Sequence, residues 1–181
     1  MNVIVVLKKK DNLIVVMEYG GNTNLKKFIE KYRDEGLLLE EKIIKDIIIQ
    51  ICNGLKEFHN NNIIYRDLNP YIIFIDNNHK IKILLPLPLS EYLDNKNDCS
   101  TEIRILEQKY IDPEIHRNKY TLKGDIWSLG CIIYELFTLN EYYIDIRLDK
   151  VKKINTDIYD PKWQVLINVL LKKDFRERQK I

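Results

Sequence analysis

The chain has 181 residues, enough for one domain with a real core, and 29 Lys and Arg against 27 Asp and Glu leave a net charge of +2. So even a balance gives no electrostatic reason to expect nucleic acid or an anionic membrane surface as a partner. Three cysteines, Cys52, Cys99 and Cys131, are odd in number and unevenly spaced, which argues against a disulfide framework or a zinc site. No run of about 18 apolar residues occurs and no basic stretch precedes the apolar opening, so a membrane span and a secretory signal are disfavoured and the expected location is the cytoplasm or nucleus.

Val3 to Leu7 and Leu13 to Met17 are β-branched runs on either side of Lys8-Lys-Lys-Asp-Asn12, an antiparallel hairpin whose loop is expected to exceed the tight two-residue type. A lone hairpin is marginal and needs a further partner. Thr23 or Asn24 is placed to cap a short helix through Arg33, with Leu25, Phe28, Ile29 and Tyr32 on one face. A longer helix is predicted from about Leu39 to Asn60. Ile43, Ile44, Ile47, Ile48, Ile51, Leu55 and Phe58 form its apolar stripe, and Gly54 inside it suits close packing.

The polar residues after Asn61 form a loop, and Ile72 to Ile75 and Lys80 to Leu84 then flank Asp76-Asn-Asn-His79, a second hairpin. Pro86 and Pro88 bias the next segment toward extended geometry, and Ser90 to Lys109 reads as loop. Asp125 to Asn140 is apolar on nearly every face, the pattern of a central helix. Leu148 to Ile154 is a possible short helix, Trp163 to Leu171 follows with Pro161 near its start, and the charged end reads as a fraying terminus. Few strands and many helices imply a mainly helical α+β domain.

The loop carries the most specific signal. Tyr65, Arg66, Asp67, Leu68, Asn69 and Pro70 resemble the His-Arg-Asp-Leu-Lys-Pro catalytic loop of eukaryotic protein kinases, with Tyr65 and Asn69 departing from it. Other parts occur in that family's order. Met17-Glu18-Tyr19 followed by Gly20-Gly21 is similar to the hinge joining the two lobes, and Leu55 to His59 to the end of the helix before the loop. Tyr110-Ile-Asp-Pro113-Glu114 is similar to the end of the activation segment, Asp125-Ile-Trp127-Ser-Leu-Gly130 to the start of the central helix, and Arg178 to the arginine that pairs with the glutamate at Glu114.

The resemblance implies a protein-kinase-like C-terminal lobe over residues 20–181 and remnant N-lobe strands and hinge over 1–19. Within it, Asp125 is expected to hold the loop from below, Glu114 and Arg178 to form a buried clamp, and Trp127 and Gly130 to belong to the scaffold. Phosphoryl transfer from ATP needs a phosphate cradle, a lysine, magnesium ligands and an aspartate that orients the hydroxyl. The cradle and lysine have no counterpart here. Ile72 and Leu85 stand where the family places the two magnesium ligands, although a hard cation requires oxygen donors.

Asn69 stands in place of a lysine, Asn24 in place of an acid near the ribose, and Glu107 in place of a threonine. Tyr65 and Pro86 replace the histidine and phenylalanine of the family's regulatory core. Asp67 keeps the base position but is expected to be idle, and Met17, Glu18 and Tyr19 are at most a weak nucleotide contact. Arg66 invites a second idea, that it pairs with a phosphate on Ser100, Thr101 or Tyr110.

The leading expectation is therefore an inactive kinase-like fragment, truncated and degenerate, with no cofactor and no metal. It serves as a protein-interaction module or has no retained role; the groove after Asp125 and self-association through the first hairpin are its candidate surfaces. The alternative is a Ser/Thr kinase using ATP and magnesium, with its N-lobe outside this chain and Asp67 as base. Glu91 or Asp94 would then have to supply the missing carboxylate.

Overall fold

The computed structural model describes residues 3–9, 12–84, 109–113, 121–142 and 151–178. Among them the element order is β1 (Val3–Lys9), β2 (Asn12–Met17), β3 (Thr23–Asn24), α1 (Leu25–Asp34), α2 (Glu41–Asn60), β4 (Ile73–Ile75), β5 (Ile81–Ile83), α3 (Leu122–Thr138), α4 (Lys162–Leu170) and a 3-10 turn (Phe175–Glu177). The described residues are mainly helical with two small antiparallel sheets, as the alternation of periods implies.

The centre is α3. Every residue from Asp125 to Phe137 is buried, because a helix apolar all round can be satisfied only by neighbours on all sides. It begins three residues before Asp125, since the Thr121 hydroxyl accepts from Gly124 N at 3.2 Å and takes up an orphan donor of the first turn. Gly130 lets α4 close in: a Cβ there would lie 2.8 Å from Leu171 Cδ2 and 3.0 Å from Leu170 Cβ.

α2 packs against α3 and β5 through the predicted stripe, with Ile44, Ile47, Ile48, Ile51 and Leu55 buried. Gly54 gives the expected close approach, here to Ile83, whose Cδ1 would meet a Cβ at 2.9 Å. α1 starts at Asn24, whose Oδ1 accepts from Lys27 N at 2.9 Å, and buries Leu25 and Ile29. The sheet β3-β4-β5 pairs Thr23 with Ile75 and Ile75 with Ile81, which fixes the residues after Gly21 beside those after the loop. Asp76 turns its hairpin by accepting from Asn78 N and Lys80 N, each at 2.8 Å.

Three expectations change. Pairing in the first hairpin runs out to Lys9 and Asn12, leaving two residues between the strands rather than a longer loop; ladder bonds come from the backbone, which lysine side chains do not interrupt. The described part of the expected helix near Leu148 to Ile154 is irregular, and Ile154 N donates to the side chain of Gln164 at 2.7 Å instead of to a helical carbonyl. The charged end does not fray through Arg178, which is buried.

The pair β1–β2 forms a sheet of its own, and Val5, Leu7, Ile14 and Val16 are exposed. Val5 is opposite Val16 and Leu7 opposite Ile14, so the four share one face. Cys131 is buried and Cys52 partly buried, both as free thiols; burial pushes each thiol's pKa up. Cys99 lies outside the described residues. Among the described residues no helix is long and apolar enough to cross a membrane.

Candidate functional site

The loop from Tyr65 to Pro70 hangs on one buried carboxylate. Asp125, in the first turn of α3, accepts from Tyr65 N at 2.8 Å and from Arg66 N at 2.9 Å. Its Oδ2 also lies 2.8 Å from His59 Nε2, at the end of α2. Two successive amides can face one carboxylate only if the chain turns sharply there, and Arg66 has φ of 72°, the left-handed region that side chains other than glycine enter at a cost. The aspartate thus accepts from two successive loop amides from beneath.

Tyr65 is buried against Phe58, ring centroids 5.2 Å apart and edge to face. Its hydroxyl donates to Leu84 O, joining the loop to the residue after β5. Burial, with Asp67 and Asp125 nearby, pushes that hydroxyl's pKa far up, so it remains a neutral donor. A tyrosine here makes a contact of its own; Pro86, the other member of that expected pair, lies outside the described residues.

The tip is bonded to itself. Asn69 is buried, and its Nδ2 donates to Asp67 O at 2.9 Å and to Asp67 Oδ1 at 3.0 Å. Its Oδ1 accepts from Tyr71 N at 2.9 Å. Both ends of the amide are engaged by the loop, whereas a lysine would have projected a charge. Asp67 and Arg66 are exposed.

Ile72 is half-buried and packs against the hydrophobic core, while its carbonyl accepts from Leu84 N at 3.0 Å. A divalent ion needs oxygen ligands, and this side chain has none to offer. No cluster of three His, Cys, Asp or Glu residues able to hold a metal occurs among the described residues. At position 72 the described loop therefore offers a magnesium ion no side-chain ligand. Leu85, the other expected substitution, and the candidate carboxylates Glu91 and Asp94 lie outside the described residues.

At the hinge-like stretch, Met17 ends β2 and Glu18 and Tyr19 follow. Lys82 on β5 reaches both, its Nζ 2.7 Å from Glu18 Oε1 and 2.9 Å from Tyr19 O. Tyr19 is largely exposed, and its hydroxyl donates to Asn22 Oδ1 at 2.5 Å.

Residues 1–180 match the family model described as the protein kinase domain. The chain belongs to that family. It is 32% identical over 159 residues to "Probable serine/threonine-protein kinase nek2" of Dictyostelium discoideum, covering 85% of this chain and 37% of that protein. It is 37% identical over 133 residues to "Serine/threonine-protein kinase Nek5" of Homo sapiens, covering 73% of this chain and 18% of that protein. Over 178 residues it is 30% identical to "Serine/threonine-protein kinase Nek2" of Homo sapiens, covering 90% of this chain and 40% of that protein. The chain spans less than half the length of each of these relatives.

In this kinase-domain chain Arg178 is buried, but its carboxylate partner among the described residues is Asp112. Arg178 Nη1 pairs with Asp112 Oδ2, and Nη2 lies 3.0 Å from Oδ1. The expected partner, Glu114, lies outside the described residues. Arg178 also donates to the carbonyls of Lys172, Lys123 and Lys173 at 2.6, 3.1 and 2.9 Å. Its Cζ sits 4.9 Å from the ring centroid of Trp127, a cation–π contact.

Asp112 lies within the stretch Tyr110 to Glu114, next to the proline, but the resemblance names no partner for it. Lys26 and Glu135 were missed too, although each had a signal: Lys26 is three residues before Ile29 on an apolar helix face, and Glu135 interrupts an apolar run. Glu107, Ser100 and Thr101 lie outside the described residues.

Proposed function

We propose that this protein kinase domain chain is catalytically inactive and acts by binding another protein. We assign residues 20–181 to the C-terminal lobe and residues 1–19 to strands and hinge of the N-terminal lobe. The observation that carries the reading is the tip of the loop. Ile72 gives hydrocarbon to the core where an oxygen ligand would be required, and the Asn69 amide is committed to Asp67 and Tyr71. Asp67 then has neither metal nor charged phosphate to act beside, and no cofactor is needed.

The test is transfer of labelled phosphate from magnesium ATP to a general protein substrate. The expected result is no turnover above background, with Asp67→Asn indistinguishable from the parent. Transfer that disappears in Asp67→Asn would sink the proposal.

A second reading, a Ser/Thr kinase using ATP and magnesium, is favoured by one observation: Asp67 is exposed on an intact support, with Asp125 holding the amides before it. The relatives quoted above are named as Ser/Thr kinases, and the chain spans only part of them. In that case Met17, Glu18 and Tyr19 line the nucleotide, and Asp67 orients the acceptor hydroxyl.

A further inference from the structure

Four charged side chains that belong to no motif of the sequence meet beneath the loop. Lys26, the second residue of α1, is buried, with Nζ 2.5 Å from Glu135 Oε1 on α3 and 2.7 Å from Glu141 Oε1 just past its end. The same residue touches the loop: its N–H donates to Pro70 O at 3.1 Å, and Nζ stands 5.9 Å from the Tyr71 ring centroid. The remaining oxygens face the segment 109–113. Glu135 Oε2 accepts from the Tyr110 hydroxyl at 2.6 Å, and Glu141 Oε2 pairs with Lys109 Nζ. Two cations and two anions make the cluster neutral.

A buried lysine alone would shed its proton rather than keep a desolvated charge. Burial does pull the Lys26 pKa down, but hydrogen bonds and charges from Glu135 and Glu141 outweigh it, and the net shift is upward. For Glu141 burial acts the other way, and Lys109 and Lys26 bring the net shift below the ordinary value. Both shifts favour the charged forms, and removing one ion would strand its partners without compensation, the costly case for buried charge. The far end of the segment is held as well: Ser128 Oγ donates to Tyr110 O at 2.7 Å, and Asp112 pairs with Arg178.

We infer that Lys26 is the closing counter-charge of an electrostatic latch that holds residues 109–113 against α3 and couples them to the loop, using the chain's own charges and no added phosphate. The latch goes beyond the proposed function, because it holds whether or not the loop transfers phosphate. Lys26 acts here as a positioning residue.

Amide hydrogen exchange on the full chain, verified by mass as unphosphorylated, tests it. Residues 109–113 should be protected in the parent. Lys26→Met, which leaves net negative charge, should speed exchange there and across 68–71 by about 100-fold, while Ile44 to Leu55 in α2 keep parental rates. Adding Glu135→Gln restores neutrality and keeps an acceptor for Tyr110, so the double variant should return to within about threefold of the parent.

An unprotected parent segment, a Lys26→Met chain that exchanges like the parent, an equal rise in α2, or a double variant as open as the single would each overturn the latch. Should Lys26→Met not fold, Glu141→Gln at the more exposed rim should speed exchange in 109–113 by about tenfold; unchanged exchange there would overturn it equally.

Discussion

Two aspartates flank the same loop and have opposite fates. Asp125 lies beneath it, buried, bonded to two successive backbone amides and to His59. Asp67 lies above it, exposed, with the amide of Asn69 against one oxygen. The floor is determined by what must be satisfied away from water, and it keeps the arrangement a kinase domain would need. At the tip the Asn69 amide is bonded within the loop, to Asp67 and Tyr71. The support beneath the loop and the chemistry at its tip are therefore set by different residues.

The contrast breaks first if the floor is dispensable. Asp125→Ala leaves two backbone amides and His59 without their acceptor, and should cost about 3 kcal/mol or more in a urea titration; a near-neutral result would mean that the loop is held elsewhere. Next is the packing of α3 on α4: Gly130→Ala forces a methyl against Leu170 and Leu171 and should cost about 1–3 kcal/mol in the same assay.

Acid should act on a narrower region. Glu141 has a pKa held below its ordinary 4.5, with Lys109 and Lys26 facing it. Its contribution is complete above that ordinary value and is lost as pH falls through the depressed one. Exchange in residues 109–113 should therefore quicken in that window, and Glu141→Gln should flatten the dependence. The smallest effect sharpens the contrast from the other side. Asp67→Ala, exposed at the tip, should change stability by less than about 0.5 kcal/mol, measurable against Asp125→Ala in one urea series.

Much of this was legible in the residues. The stripe Ile44, Ile47, Ile51 and Leu55 gave α2, the all-round apolar run gave α3, and Asn24 gave the start of α1, because periodicity and capping are local properties. The support of the loop by Asp125 came from the resemblance and is seen in the geometry. What escaped were pairings between distant segments. Arg178 is joined to Asp112 across 66 positions and Lys26 to Glu135 across 109, and no local pattern names the partner of a buried charge. A lysine on an apolar helix face and a glutamate within an apolar run do announce that a partner exists. The first hairpin's turn was misjudged because lysines were read as loop, although side-chain charge does not stop a backbone ladder.

The most direct test of the inactive reading is calorimetric titration of magnesium ATP into the intact chain, with ATP plus a chelator as the control. The account predicts no saturable, magnesium-dependent heat, since Ile72 offers hydrocarbon where the proposed reading needs an oxygen ligand. Saturable binding that requires magnesium and is weakened by Asp67→Asn would contradict it.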